Sequence, residues 1–221
     1  MSHLLYYSRF DTPLPAQQFL YLLNKMPDKI KERVVKFKRW QDAHASLLGK
    51  HLLLHAMSDL GYDISLNDLQ YTQYDRPFIA NNADFNISHS GTLVVCVISN
   101  DGRIGIDIEE KKPIDITDFN NQFSPEEWSI ITQSQPATDS FYDYWSSKEA
   151  ILKADGIGIS VALSALNTAN RKEVDFNNQK WYLLRVDDFP DYACHIACNV
   201  FSSNYHLHQI DFHTATLHSS L

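Results

Sequence analysis

The chain has 221 residues, enough for one large domain or two smaller ones. Its 44% hydrophobic and 21% charged residues exclude global disorder, and 12% aromatic residues supply material for a core. A formal net charge of −8 argues against nucleic acid or anionic membrane as a partner, and any anionic substrate would need a local basic patch.

The opening stretch MSHLLYYSRFDTPLP lacks the long apolar run and small-residue cleavage site of a signal peptide. No apolar run reaches the roughly 18 residues that span a bilayer. The expectation is therefore a cytoplasmic protein, not a membrane one. From Lys25 to Arg39 seven basic residues (Lys25, Lys29, Lys31, Arg33, Lys36, Lys38 and Arg39) face only Asp28 and Glu32. On composition this is a solvated helical face or an anion-binding patch. Gln41 to Leu60 reads as a helix: Leu47, Leu48, Leu52, Leu54 and Met57 form a broad apolar face and Gly61 is placed to end it. Ser46 lies on this helix.

Arg76-Pro77 and then Phe85 to Gly91, FNISHSG, read as turn and loop. Asn86, Ser88, His89 and Ser90 suit a phosphate-binding loop and an ordinary turn equally. Leu93 to Ser99, LVVCVIS, is apolar throughout and predicts a strand buried on both faces. Asn100-Asp101-Gly102 predicts a hairpin turn, with Arg103 to Glu109 returning as the partner strand. A second helix is expected around Asp143 to Ala154, ended by Gly156 and Gly158. Further strands are expected at Lys180 to Val186, Tyr192 to Val200 and His206 to Phe212, followed by a frayed TATLHSSL end. The order helix-then-strands thus occurs twice. Three cysteines, Cys96, Cys194 and Cys198, make no disulfide framework, and Cys96 reads as a core residue.

Asp107 and Glu109 sit two apart on a predicted strand, so both carboxylates share one face, with Ile106 and Ile108 on the other. Close carboxylates repel unless a cation, a basic partner or water intervenes. Oxygen ligands of this kind suit magnesium; a strand end emerging into solvent would look the same. Glu149 and Lys153, four apart on the second helix, share a face, and Lys148 adjoins them. These are either a surface ion pair or a metal carboxylate with a phosphate-binding lysine.

In their order along the chain, DAHASLLGK (Asp42 to Lys50), RPF (Arg76 to Phe78), FNISHSG, IGIDIE (Ile104 to Glu109) and WSSKEAILKADGIGIS (Trp145 to Ser160) resemble the 4'-phosphopantetheinyl transferases of the Sfp type. The resemblance runs from about residue 30 to residue 160, with IGID and W-S-x-K-E-A-x-x-K the most specific pair. It implies an α+β fold of two similar halves related by a pseudo-twofold, residues 1–105 and 106–221, with the active site in the cleft between them. It implies a monomer that moves the phosphopantetheine arm of coenzyme A onto a serine of an acyl, peptidyl or polyketide carrier protein. Magnesium, or manganese in its place, would be held by Asp107, Glu109 and Glu149. Lys153, Lys148 and His89 would meet phosphate oxygens, with Ser88 positioning the loop. Arg76 would lie near the adenine, and Ser46 and Arg33 near the 3'-phosphate. Glu149 is the first candidate for the base that takes the serine proton, and Glu127 the second.

Two positions depart from the pattern: Ile30 stands where a basic residue is frequent, and Asp75 where glycine is common. Carrier docking would draw on the basic Lys25 to Arg39 stretch and on Ile114, Ile116, Phe119, Phe123 and Trp128. The competing readings are a metal-dependent hydrolase of nucleotide pyrophosphates and an inactive module that binds coenzyme A or carriers. The intact Asp107, Glu109, Lys148, Glu149 and Lys153 set weighs against the inactive module.

Overall fold

A strand that is apolar on both faces needs cover on both, and Leu93–Ser99 obtains it between two layers. The structure, a computed structural model, describes residues 2–80, 83–158 and 162–213. In chain order its elements are β1 (Ser2–Arg9), α1 (Ala16–Asn24), α2 (Asp28–Val34), α3 (Trp40–Asp59), β2 (Gln70–Tyr71), β3 (Pro77–Phe78), β4 (Asp84–Ser90), β5 (Leu93–Ser99), β6 (Ile104–Glu110), α4 (Pro125–Gln133), α5 (Ala137–Asp155), β7 (Glu173–Phe176), β8 (Gln179–Arg185), β9 (Tyr192–Cys198) and β10 (Asn204–Gln209). One sheet runs β10-β1-β5-β4 and a second β6-β9-β8-β7, beside a small β2-β3 ribbon. Only the β1–β10 pair is parallel among the described strands.

The period of two sorts β5 into layers. Val94, Cys96 and Ile98 pack on Leu47, Leu48 and Leu52 of α3. Leu93, Val95 and Val97 meet Ile104, Ile106 and Ile108 of β6 and Cys194, Ile196 and Cys198 of β9. The outer face of the second sheet is covered by α5, whose Ala150, Ile151 and Ala154 pack with Trp181 and Ala197. The layers are thus α3, sheet, sheet, α5: an α+β fold of two similar halves. No described helix is long and apolar enough to cross a membrane.

Gly105 sets the distance of α5 from β6. A Cβ at that position would lie 2.3 Å from the Ala150 carbonyl oxygen and 2.4 Å from the Ala154 nitrogen. Without a side chain the helix backbone can lie directly on the strand. Glu149 and Lys153 are thereby brought beside Asp107.

Several expectations change. Asn100-Asp101-Gly102 does turn, with Gly102 at φ 72°, but it is no hairpin. Both edges of β5 are taken by β1 and β4, so β6 leaves for the other sheet and pairs with β9. FNISHSG is a strand rather than a loop: Asp84–Ser90 pairs along its length with β5. The second helix starts at Ala137, before the expected Asp143, and ends at Gly156 in the left-handed conformation. The boundary expected at residue 105 falls inside β6, and β10 returns to the first sheet. The expected frayed TATLHSSL end, and Ile159 and Ser160 of the last motif, lie outside the described residues. All three cysteines are buried and free.

His51 on α3 is sealed in the first core, its Nε2 3.1 Å from the Leu22 carbonyl oxygen. Nε2 therefore carries the proton and donates it. Burial pushes the His51 pKa from 6.5 down to about 4, overriding the carbonyl bond, with His55 and Lys25 adding to the fall. Between these values the unfolded chain binds the proton and the fold does not. Stability from this group is complete above pH 6.5 and is lost as the pH falls toward 4. Lowering the pH from 7.5 to 5 should therefore destabilise the native protein by about 2 kcal/mol more than a His51→Gln variant. Urea unfolding at both pH values measures this, and equal losses would show that His51 charges inside the fold.

Candidate active site

The site lies where the edge strands β4 and β6 meet. Every second residue of β4 is polar: Asp84, Asn86, Ser88 and Ser90. Each accepts a backbone N–H of β6: Ile104 N to Asp84 Oδ2 at 2.7 Å, Ile106 N to Asn86 Oδ1 at 3.0 Å, Ile108 N to Ser88 Oγ at 3.4 Å and Glu110 N to Ser90 Oγ at 3.0 Å. Two serines of this ladder also hold the carboxylates of the facing strand. Ser88 Oγ donates to Asp107 Oδ1 at 3.2 Å and Ser90 Oγ to Glu109 Oε2 at 3.0 Å.

From α5, Lys153 Nζ reaches the same atoms, 2.5 Å from Asp107 Oδ1 and 2.9 Å from Ser88 Oγ. Burial lowers its pKa, but the charges of Asp107, Glu149 and Glu109 outweigh this and the net direction is up. Burial first, then the Asp107 charge, pushes Glu109 up to about 7. The Ser90 bond and Lys153 oppose that rise, and Glu149 adds to it. Half-buried Glu149 is raised by burial and by Asp107, against Lys153. Four groups expected from spacing, Asp107, Glu109, Glu149 and Lys153, are thus gathered in one place, and Ser88 joins them.

Among the described residues, no group of three or more His, Cys, Asp or Glu side chains is gathered tightly enough to hold a metal ion by itself. The carboxylate set is open rather than caged. Asp107 Oδ2 is buried with no hydrogen-bond partner among the described residues, although Asp107 Oδ1 has two. An unsatisfied buried carboxylate oxygen beside two carboxyls raised by burial and by the Asp107 charge fits a cation. It fits one that completes its shell with water and substrate phosphate.

His89 is an exposed residue near the end of β4. Its pKa is lowered by desolvation and by Lys153 and Lys50, against Asp42 and Asp107, which sets it between α3 and the carboxylates. Ser46 is half-buried on α3, and exposed Arg33 on α2 lines a shallow cavity of about 370 Å³ with Lys29, Glu32, Lys36 and Phe37. Ile30 packs against the first core, which accounts for the missing basic residue there.

Three expected residues are elsewhere. Glu127 and Lys148, read as a second base and a phosphate contact, have no solvent exposure and face each other at 2.6 Å. Glu127 also accepts from Ser124 N, Thr168 N and Thr168 Oγ1; Lys148 donates to the carbonyls of Gln122 and Leu163. Every polar atom of the pair is engaged in tying α4 and the 163–168 segment to α5, so neither can reach a substrate. Arg76, expected near the adenine, is buried with its guanidinium forked on Asp84 at 2.9 and 2.7 Å. Asp75 before it has φ 61°, the conformation that makes glycine common there. Of the apolar docking candidates only Ile114 is exposed; Ile116, Phe119 and Trp128 pack on the cluster of Phe123 and Phe141. Asp84 was not singled out from the sequence, although the D-x-N-x-S-x-S alternation announces a strand with one polar face.

A family model described as the 4'-phosphopantetheinyl transferase superfamily matches residues 103–208, and one described as 4'-phosphopantetheinyl transferase, N-terminal, matches residues 12–101. Over 163 residues the chain is 32% identical to 4'-phosphopantetheinyl transferase Sfp of Bacillus subtilis, covering 71% of this chain and 72% of that protein. The chain belongs to the 4'-phosphopantetheinyl transferase family, and within it to the Sfp type. This transferase is also 30% identical over 194 residues to 4'-phosphopantetheinyl transferase gsp of Aneurinibacillus migulanus, covering 84% of this chain and 81% of the relative. It is 28% identical over 220 residues to the L-aminoadipate-semialdehyde dehydrogenase-phosphopantetheinyl transferase of Schizosaccharomyces pombe, with 89% and 82% covered. The two family models meet at the Asn100–Gly102 turn, where the transferase chain passes from one sheet to the other.

Because Glu127 is spoken for structurally, its replacement should act on stability. Glu127→Gln leaves the Lys148 ammonium buried without a counter-charge, which should cost about 3–5 kcal/mol. Denaturant unfolding checks this; a variant of native stability with lost turnover would return Glu127 to the chemistry.

Proposed function

We propose that this transferase moves the 4'-phosphopantetheine group of coenzyme A onto a carrier-protein serine in the cleft between its two halves, using Asp107, Glu109, Glu149 and Lys153. The observation that carries the reading is the open carboxylate cluster with a lysine on it and one unpartnered carboxylate oxygen. In the reaction the serine oxygen bonds to the phosphorus bearing pantetheine, the bond to the departing phosphate oxygen breaks, and 3',5'-ADP leaves. Asp107, Glu109 and Glu149 would hold magnesium, which when bound neutralises charge on the pyrophosphate.

The chain's own groups do the rest. Glu149 accepts the serine proton. Lys153 stabilises charge growing on the departing oxygen. His89, exposed near the end of β4, meets a phosphate oxygen. Arg33, with Lys29 and Lys36, offers the cavity on α2 to the 3'-phosphate, and Ser46 approaches the same group. The basic α2 segment, with exposed Val35 and Phe37, receives an acidic carrier surface by charge complementarity. The protein acts as a cytoplasmic monomer.

The direct test is incubation with coenzyme A, an apo acyl carrier protein and magnesium. The carrier serine should gain about 340 Da, and excess chelator should abolish the gain. Release of 3',5'-ADP without carrier would mean hydrolysis instead, and full loading in chelator would remove the metal.

Lys153→Ala separates the roles further. It should lower turnover about a hundredfold, the equivalent of roughly 3 kcal/mol. Coenzyme A affinity by calorimetry should change less than about threefold, because the contact matters most in the transition state. A variant with both quantities near native would remove Lys153 from the chemistry.

A further inference from the structure

The last turn of a helix leaves carbonyls without partners. At the end of α5 two arginines supply them. Arg76 Nε donates to the Lys153 carbonyl oxygen at 2.9 Å, and Arg103 Nη2 to that of Asp155 at 2.9 Å. Cations are also favoured there by the helix dipole.

Arg76 holds more than the helix. Its Nη1 and Nη2 fork onto Asp84 of β4, and Nη2 also donates to the Ile104 carbonyl oxygen of β6 at 2.9 Å. Asp84 in turn accepts the Ile104 N–H. One guanidinium therefore fastens α5, β4 and β6 at a single point. Its own backbone is fixed: Arg76 N donates to Thr72 Oγ1 at 3.2 Å and its carbonyl accepts from Thr72 N at 2.9 Å. Gly156 leaves room for the arginine stem, since a Cβ there would lie 2.6 Å from Arg76 Cδ. The residue whose carbonyl Arg76 grips is Lys153, whose ammonium sits on Asp107 of β6.

We propose that Arg76 is a positioning residue of the transferase: by holding the Lys153 main chain to β6, it sets where the Lys153 ammonium stands relative to Asp107. This rests on the transfer reading given above. The side chain acts on rate through Lys153 and makes no contact with the nucleotide.

Arg76→Lys keeps the charge beside Asp84 but cannot make the fork and the Nε bond together. With coenzyme A, magnesium and an apo acyl carrier protein, the folded variant should lose at least about tenfold in turnover. Its coenzyme A affinity by calorimetry should stay within about threefold. Amide exchange should accelerate at residues 152–156 and not in β9. If this variant does not fold, the neutral pair Arg76→Gln with Asp84→Asn leaves no buried charge, and the same results are expected of it. Native turnover with faster exchange would reduce Arg76 to a stabilising clamp and overturn the proposal. Weakened coenzyme A binding with native turnover would make it a nucleotide contact and overturn it equally. Native protein that loads no carrier would sink the transfer reading instead; unchanged exchange at residues 152–156 would overturn the positioning role whatever the activity.

Discussion

The N–H groups of Ile104, Ile106, Ile108 and Glu110 lie on the open edge of the second sheet, where unpaired donors must find acceptors. They find them in side chains rather than in another strand: Asp84, Asn86, Ser88 and Ser90. The ladder satisfies the edge of the second sheet, joins the halves of the molecule and fixes register in one arrangement. A slip of one residue would present Phe85, Ile87 and His89 to the β6 backbone in place of the acceptors. The carboxylate cluster depends on that register, because Ser88 and Ser90 orient Asp107 and Glu109 with the same oxygens that take the backbone N–H groups.

Helix α5 carries two lysine–carboxylate pairs of opposite character. Lys148 and Glu127 are closed: both side chains are sealed and every polar atom has a partner. Lys153 and Asp107 are open: the lysine is partly exposed and Asp107 Oδ2 has no hydrogen bond among the described residues. A closed pair resists change because removing either member strands a charge. An open pair can exchange partners with an incoming anion or cation. The first pair anchors the helix on which the second is presented.

Where local pattern and tertiary role coincide, the sequence was legible. Period two placed Asp107 and Glu109 on one face of β6 and the isoleucines on the other, and a four-residue spacing placed Glu149 and Lys153 together. The doubly buried β5 followed from its unbroken apolar run. What was not legible required knowing what lay opposite. FNISHSG has the composition of a loop, and only β6 explains why a strand should be polar on alternate residues. The Asn-Asp-Gly turn has hairpin chemistry, but the choice of sheet was decided by β1 occupying the other edge of β5. Lys148 adjoins Glu149 in sequence, yet successive residues of a helix project about 100° apart, so one turns inward to α4 and the other to the cleft. Arg76 beside Pro77 reads as a ligand contact until its carboxylate partner is seen.

The parallel pairing of β1 with β10 sets Leu5 against Leu207, residues far apart in sequence. β1 is thus completed by a strand from far along the chain, and its outer edge stays bare until β10 pairs with it. Sheets that close over such sequence distances are slow to form and leave an open edge available to other chains meanwhile. The first sheet is therefore incomplete until β10 pairs, and its protection against aggregation waits on a strand that belongs, by chain order, to the other half.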